Sequence, residues 1–313
     1  MSLTSEIKKP RSPVGRFFRD TFPNTRTVLA DCKSVLNARP ILRLGDKPHK
    51  AAYGQVGMAI DYRIRYHFAL TPPAKLVAMH GAAILDHWRD QDENVLPLKS
   101  PLSRSCMVGF FHALAGLTSE IAPHHRRPTD AEERSLARHC LVLAALEVVY
   151  RNLFAWPPPW LGDAPPDYAA DLLARVCDDW VEDAAALGAA FAESYPSWHG
   201  SPEADLNPEF AGSLDIGGAD ADFIADGCLW DIKTTTGGPK SIYIFQIVGY
   251  ALLDYDDEYT IERVGLLFPR QQSSVSWPID ELIARMSGDT GLELAALREQ
   301  FRALLQANPT PAE

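Results

Sequence analysis

The chain has 313 residues, 46% of them hydrophobic, and a formal net charge of −11 at pH 7, which is enough apolar material for one large core or two smaller ones. No apolar run approaches the roughly 20 residues of a membrane span, and residues 1–13 are polar and basic without the apolar stretch of a secretory signal, so we expect a cytoplasmic protein. The five cysteines are widely spaced and form no Cys-x-x-Cys pair, which favours free thiols over a disulfide framework or a zinc site.

The first 50 residues differ in charge from the rest of the chain. They hold eleven basic and four acidic side chains, a net charge of +7, so the remaining residues carry −18. A basic segment attached to an acidic chain has two interpretations: it contacts nucleic acid, or it is a solvated arm whose charge balances that of the acidic body. The sequence alone does not choose between them.

Residues 51–195 are predicted to be helical, because apolar side chains recur there at helical spacing. Thr129 and Asp130 provide a helix start, with a capping side chain followed by acidic residues in the first turn. The proline-rich stretch 156–166 interrupts regular structure. The predicted helices span 51–70, 73–90, 101–118, about 130–154 and about 168–194.

The sequence after Pro202 is richer in glycine and in short β-type runs. Asp226-Gly227 is a strong signal for a two-residue hairpin turn, because both turn positions need positive φ. The predicted elements are a strand over 210–216, hairpin strands over 219–225 and 228–235, a helix over 241–254, strands over 259–268 and 274–277, and one or two helices over 278–307. The order is helix, three strands, helix, strand.

The turn sets the register of the predicted hairpin. Counting outward from it places Asp222 opposite Asp231 and Asp220 opposite Lys233. Because strand side chains alternate, these four charged side chains lie on one face of the hairpin. The other face is apolar.

Carboxylates at positions 222 and 231 need a reason to lie together, since opposed like charges destabilise a hairpin. A divalent cation provides one, because Mg²⁺ takes oxygen ligands and can bridge a phosphodiester oxygen to the protein. A neighbouring lysine, Lys233, can then hold or deprotonate the attacking water. The alternative is a solvent-exposed hairpin with incidental charges, since acid-x-Lys triplets are common; Glu6-Ile7-Lys8 is another.

Three motifs follow one another within about thirty residues: Gly218-Ala-Asp-Ala-Asp222, Asp231-Ile-Lys233 and Gln246-x-x-x-Tyr250. Together they resemble the RecB-type exonuclease branch of the PD-(D/E)XK nuclease superfamily. The resemblance implies an α/β fold with a restriction-endonuclease-like core of order α-β-β-β-α-β, joined here to a large helical N-terminal region. It covers residues 210–277 and leaves the first 195 residues mostly unexplained.

The resemblance also implies a role for each motif residue. The implied ligands of Mg²⁺ or Mn²⁺ are Asp222, Asp231 and the carbonyl of Ile232. Lys233 would be the catalytic lysine. Gln246 and Tyr250, four residues apart on one helix face, would orient the lysine, the water or a phosphate.

Two positions stay open. Asp220 competes with Asp222 for the role of first acid, because both stand on the same face; Asp222 is favoured because it is predicted to lie opposite the second acid. The family also places a metal-facing residue on a helix before the first strand. Asp61 is the candidate, although Met58 stands where the RecB-type histidine would fall. Asp61 is equally well interpreted as a helix acid paired with Arg65 at i+4.

The predicted organisation is a basic segment 1–50, a helical region 51–195 whose first helix packs on the core, and a nuclease core with C-terminal helices over 196–313. We expect Mg²⁺-dependent hydrolysis of DNA phosphodiester bonds by water attack, in defence against foreign DNA or in repair. Two alternatives remain. One is a catalytically silent binding or assembly module of the same fold, whose helical region recognises a protein partner; the other is a nuclease that acts on RNA.

Overall fold

The computed structural model describes residues 2–37, 40–43, 50–69, 75–89, 102–121, 127–152, 156–161, 166–201 and 203–309. Within these residues the chain forms twelve α-helices and one five-stranded mixed sheet, so it is a mixed α/β protein in which helix predominates. The chain divides into two compact units: unit 1 comprises Met1–Ile41 and Glu203–Glu313, and unit 2 comprises Leu42–Pro202. These boundaries differ from the predicted ones because the first residues of the chain fold with the last.

The helices are α1 (Leu3–Lys8), α2 (Pro13–Thr21), α3 (Thr25–Leu36), α4 (Lys50–Phe68), α5 (Ala78–Arg89), α6 (Arg104–Ile121), α7 (Asp130–Arg151), α8 (Ala169–Ala174), α9 (Asp178–Ser194), α10 (Ser241–Leu253), α11 (Ile279–Ser287) and α12 (Leu294–Ala307). The helices predicted in 51–195 correspond to α4–α9, except that α8 and α9 replace a single helix. Arg138 explains the break, because its Nη1 donates to the carbonyls of Leu173 (2.9 Å) and Val176 (3.1 Å) and so satisfies the end of α8.

Residues 2–37 form three helices that the sequence analysis did not predict. The side chains of Ser2 and Ser12 accept backbone N–H groups in the first turns of α1 and α2, the usual role of an N-cap serine. Apolar side chains of these helices join the core of unit 1; they are Leu3, Ile7, Val14, Phe18, Phe22, Val28, Cys32 and Leu36. The segment is therefore built into unit 1 through one apolar stripe per helix.

The sheet of unit 1 has the strand order β1-β2-β3-β4-β5. The strands are β1 (Asp205–Leu206), β2 (Phe223–Ala225), β3 (Cys228–Ile232), β4 (Arg263–Phe268) and β5 (Ser273–Pro278). β3 and β4 are parallel, and the other neighbours are antiparallel. Parallel neighbours need a crossover connection, which α10 supplies. β3 is thus the central strand, and its carboxyl end leads into the loop before α10.

The hairpin of β2 and β3 has the predicted register from the pair Ala225–Cys228 to the pair Phe223–Trp230. Asp226 and Gly227 form the turn with φ of 53° and 67°, which confirms the predicted positive-φ turn. The ladder ends before position 222, so both strands are shorter than predicted. The reason is that Asp222 Oδ2 accepts the backbone N–H of Ile232, which a continued ladder would pair with the carbonyl of Ala221.

The strand predicted over 210–216 is wrong. These residues turn, and they include one 3₁₀ turn over Leu214–Ile216. Ser213 stabilises the turn, because its Oγ accepts the Phe210 N–H (2.8 Å) and donates to the Ala219 carbonyl (2.5 Å). Such side-chain bonds offer the backbone an alternative to a sheet ladder.

Unit 2 is a helical bundle whose core contains paired charges. Arg63 on α4 donates two hydrogen bonds to Glu133 on α7, of 2.6 and 2.7 Å, and both side chains are buried. Tyr62 donates to Glu147 at 2.6 Å between the same two helices. The buried charges of Arg63, Glu133 and Glu147 therefore each have a partner that offsets their desolvation.

The five cysteines are free thiols, as predicted, and all but the half-buried Cys177 are buried. Among the residues described, no helix has the length and apolar character needed to cross a bilayer.

Candidate active site

Asp231 and Lys233 lie where β3 ends. Asp231 belongs to the strand, and its side chain is 3% exposed. Lys233 follows the strand, and its backbone N–H donates to the Leu267 carbonyl at 2.8 Å, which extends the pairing with β4. Because side chains alternate along extended backbone, both side chains emerge on the same face. Lys233 Nζ lies 2.5 Å from Asp231 Oδ2, so the two groups are in direct ionic contact.

The carboxyl group of Asp231 occupies an unfavourable place for a negative charge. Burial raises its pKa to about 7; the Lys233 ammonium group opposes this rise and the Asp222 carboxylate adds to it. Asp231 Oδ2 makes no hydrogen bond of good geometry within the described part of the chain, although Lys233 lies beside it. Two neighbouring carboxylates, one of them buried, therefore favour the binding of a further cation.

Asp222 reaches β3 from the segment before β2. Its Oδ2 accepts the backbone N–H of Ile232 at 2.5 Å, and its carbonyl accepts the N–H of Asn207 at 3.0 Å. The bond to Ile232 holds the Asp222 carboxylate beside the backbone next to Asp231. This agrees with the contribution of Asp222 to the raised pKa of Asp231. The ligand role of the Ile232 carbonyl stays a prediction.

Asp220 is held by a different contact. It forms an antiparallel bridge with Glu209, and the backbone N–H of Lys233 bonds to β4, so the predicted pairing of Asp220 with Lys233 is not part of the ladder. The charge of Asp220 nevertheless contributes to raising the pKa of Tyr250, which puts it within electrostatic range of the site. Asp220 and Asp222 both remain candidates for the first acid, and the hydrogen bond to β3 favours Asp222.

Helix α10 brings Gln246 and Tyr250 to Lys233. Lys233 Nζ donates to Gln246 Oε1 at 3.1 Å, and Gln246 Nε2 donates to the Tyr250 hydroxyl at 2.9 Å. Burial, reinforced by the charges of Asp231 and Asp222, raises the pKa of Tyr250 well above its usual value, so the phenol stays neutral. Polar contacts thus run without a gap from Asp231 through Lys233 and Gln246 to Tyr250.

Tyr243 is a site residue that the sequence analysis missed. Its ring centroid lies 5.4 Å from Lys233 Nζ, a cation–π distance. Tyr243 precedes Gln246 by three residues and Tyr250 by seven, so the three side chains share one face of α10. That spacing was the available signal in the sequence. Together Tyr243 and Gln246 hold the ammonium group against the helix.

The loop after Lys233 is tied to the end of β4. The buried Gln271 donates from Nε2 to the Thr235 carbonyl at 2.9 Å. Gln271 ends a 3₁₀ turn, Pro269–Gln271, that follows β4 directly. This contact anchors the backbone two residues beyond Lys233, which restricts where the lysine can move.

Asp61 lies in unit 2, on α4. Its Oδ2 is 2.5 Å from Arg65 Nη2, and its side chain is 18% exposed. This is the i,i+4 ion pair that the sequence analysis gave as the alternative to metal binding. The role of Asp61 as a metal ligand stays a prediction.

A metal ion would have to be held by a small set of protein groups. In the described ranges of the chain, no group of three or more His, Cys, Asp or Glu side chains is placed to hold one. Asp222 and Asp231 offer two carboxylates, which suits Mg²⁺ because this ion keeps several waters and takes one or two carboxylates from the protein. The raised pKa of Asp231 fits such an ion, since a divalent cation would stabilise the buried carboxylate.

Comparisons of the chain with models of known protein families, with curated proteins and with solved structures found no match. Support for a function therefore comes from the geometry of the site. Its components are two acids, one lysine and a helix-borne glutamine, and they come from three separate stretches of the chain.

Proposed function

We propose that the protein is a metal-dependent nuclease with a restriction-endonuclease-like core. The observation that carries the proposal is the hydrogen bond from Lys233 to Gln246, made while Lys233 is in ionic contact with the buried Asp231. Aspartate is almost never buried without a partner or a role, so incidental surface charges do not account for this arrangement. The chain order adds support: three antiparallel strands, the crossover helix α10, then a parallel strand.

Asp222 and Asp231 would hold Mg²⁺ or Mn²⁺, with the Ile232 carbonyl as a further oxygen donor. When bound, the cation would act as a Lewis acid that offsets the negative charge of the phosphodiester. The cation would also relieve the repulsion between the Asp222 and Asp231 carboxylates. That relief would explain why an acid whose charged form is otherwise disfavoured lies buried at this position.

Lys233 would act on the water and the phosphate. Contacts with Asp231, Gln246 and Tyr243 give its Nζ a defined position. From there the ammonium group would orient the attacking water and offset the charge that develops on the phosphate oxygens. The water oxygen forms a bond to phosphorus, the bond to the 3′ oxygen breaks, and the water proton passes to solvent while the 3′ oxygen gains one.

Gln246 and Tyr250 would position the lysine without contacting the reacting atoms. Both polar atoms of the Gln246 side chain are engaged, Oε1 by Lys233 and Nε2 by Tyr250, so the amide has one orientation. Because the Tyr250 phenol stays neutral, it does not add a third negative charge to the site.

The test is cleavage of plasmid and labelled oligonucleotide DNA by the full chain with Mg²⁺ or Mn²⁺, with EDTA as the metal-free control. We expect Lys233→Ala and Asp231→Asn to reduce the rate on the order of 100-fold or more, as the loss of an electrostatic catalytic group does. Lys75→Ala, which removes an exposed lysine of unit 2, is the matched control and should cut normally. Equal rates for all three variants would show that the site assignment is wrong. Cleavage rates on DNA and RNA strands of the same sequence show whether the site accepts deoxyribose or ribose.

A second function is favoured by the net charge of −11, which opposes the approach of a polyanion. The described residues contain no group of three acidic, histidine or cysteine ligands, so the site is also compatible with a silent binding or assembly module of the same fold. Metal-linked stability distinguishes the two. At 100 times its Kd, Mn²⁺ stabilises a folded protein that binds it by about 2.7 kcal/mol. A functional site should show this gain and lose it in Asp222→Ala, whereas a silent module should show no gain.

A further inference from the structure

The segment from Lys8 to Arg19 concentrates positive charge. Its twelve residues contain five basic side chains and no acidic one. All five are exposed; they are Lys8, Lys9, Arg11, Arg16 and Arg19. In the part of the chain that the structure describes, Lys8, Arg11 and Arg16 form no ion pair. Three exposed cations are thus available to a partner, in a protein with a net charge of −11.

The backbone of this segment is held in one conformation. Ser12 Oγ donates to the Glu6 carbonyl at 2.7 Å and accepts the Gly15 N–H at 2.9 Å. A Cβ atom on Gly15 would lie 2.2 Å from the Lys9 carbonyl oxygen, so only glycine lets α2 start this close to the end of α1. The basic side chains therefore project from the end of α1, from an ordered turn and from α2.

The surface has charge but no exposed apolar face. The large apolar side chains of α1 and α2 face the core of unit 1: Phe17 is partly buried against it, and the others are buried; they are Leu3, Ile7, Val14 and Phe18. A helix that binds a membrane surface inserts such side chains into the lipid. Because they are committed to the protein core, the segment fits a polyanion in water better than a membrane.

Helix α10 connects this surface to the candidate site. The Phe18 ring on α2 lies 5.4 Å from the Phe245 ring, and a Cβ on Gly249 would lie 2.9 Å from a methyl group of Leu3. Phe245 and Gly249 directly precede Gln246 and Tyr250, and one residue corresponds to about 100° around a helix. Helices α1 and α2, which carry much of the basic segment, therefore pack on the side of α10 next to the one that faces Lys233.

We propose that the exposed cations of Lys8–Arg19 bind the phosphodiester backbone of the polynucleotide whose scissile phosphate lies at the candidate active site beside α10. The inference rests on the proposed function, because that function places the polynucleotide at the site. It adds a second surface of the protein that binds the same polynucleotide. Each cation that neutralises a phosphate releases a condensed counterion, so this binding weakens as salt rises. Contacts to the backbone set the register of the strand without reading its bases.

The experiment measures binding without cleavage. Fluorescence anisotropy follows labelled duplex and single-stranded DNA with the full chain in EDTA at several salt concentrations. Arg11→Gln/Arg16→Gln removes two cations of the surface. The matched control, Arg26→Gln/Lys33→Gln, removes two exposed cations from α3, which packs mainly against α11 and β5 and to a smaller extent against α10. Thermal melting of both variants checks that they fold.

We expect the Arg11→Gln/Arg16→Gln variant to bind on the order of tenfold more weakly, with a salt slope smaller by about two. The α3 control should bind like the wild type. Unchanged affinity and slope in the test variant, an equal loss in the control, or no binding by the wild type would each overturn the proposal.

Two further outcomes separate this proposal from others. Sedimentation with phosphatidylserine vesicles that depends on Arg11 and Arg16, without DNA binding, would overturn it in favour of a membrane surface. Cleavage is scored separately in Mn²⁺. A wild type that binds DNA through Arg11 and Arg16 but does not cut it supports the surface and rejects the nuclease.

Discussion

Asp231→Asn is expected to stabilise the metal-free protein at pH 8 while it removes the proposed activity. Burial raises the pKa of the Asp231 carboxyl from 3.8 to about 7, against the attraction of Lys233. The charged carboxylate is therefore the disfavoured form in the folded protein. Asparagine has nearly the same shape and carries no charge, so it avoids that cost.

The size and sign of the effect follow from the two pKa values. Between about 4 and about 7, the folded protein keeps a proton that the unfolded chain has released, so the stability of the wild type falls as pH rises and levels off above that range. A shift of about three units corresponds to about 4 kcal/mol. This is an upper limit for the gain in Asp231→Asn, because Lys233 loses its ionic partner in the variant.

The assay is thermal unfolding of the wild type and Asp231→Asn in EDTA at pH values from 4 to 8. The difference in midpoint should grow in favour of the variant as pH rises, reaching several degrees at pH 8, because 1 kcal/mol moves the midpoint by about 2–4 °C in domains of 150–250 residues. Asp20→Asn, at an exposed position, controls for the introduction of an amide. A variant that is less stable than the wild type at pH 8 would refute the reasoning.

Two further predictions concern packing and positioning. Gly265→Ala should lower the free energy of unfolding by about 1–3 kcal/mol, because its Cβ would lie 2.4 Å from the buried Trp230 ring. Urea unfolding measures this change. Gly238→Ala is the control and should leave the free energy of unfolding unchanged, because no atom lies within 4 Å of its Cβ. An equal effect of both would contradict it. Gln246→Ala should slow cleavage about 10- to 100-fold, as loss of an orienting contact does, while Mn²⁺ affinity stays unchanged because Gln246 contacts Lys233 and not the acids. A parallel loss of Mn²⁺ affinity would show that Gln246 supports the acids instead.

The elements predicted best from the sequence are those set by local chemistry. The Asp226-Gly227 turn formed as predicted because its positive φ angles are a property of two adjacent residues. Helix α7 began at the predicted cap because Thr129 bonds to the first turn of its own helix. Neither outcome depends on distant parts of the chain.

The predictions that differed from the structure concern features that depend on contacts between separate segments of the chain. The hairpin ladder stops before position 222 because the Asp222 side chain, and not the Ala221 carbonyl, accepts the Ile232 N–H, a contact that the strand pattern does not reveal. Helices α1 to α3 were not predicted because such short helices are marginal by themselves and are stabilised when their apolar stripes pack on a core such as that around α10. The spacing of Tyr243 from Gln246 and Tyr250 placed it on the same face of α10, but its contact with Lys233 depends on how α10 packs on the sheet.

Calorimetric titration with Mn²⁺ tests the central claim most directly, namely that two carboxylates beside Lys233 form a divalent cation site. We predict that the wild type and Asp220→Asn bind Mn²⁺ and that Asp222→Asn and Asp231→Asn do not. Asp222 is expected to be the essential first acid because it, and not the Glu209-bridged Asp220, is hydrogen-bonded to β3 next to Asp231. Undiminished Mn²⁺ binding by Asp222→Asn and Asp231→Asn, or no binding by the wild type, would contradict the account.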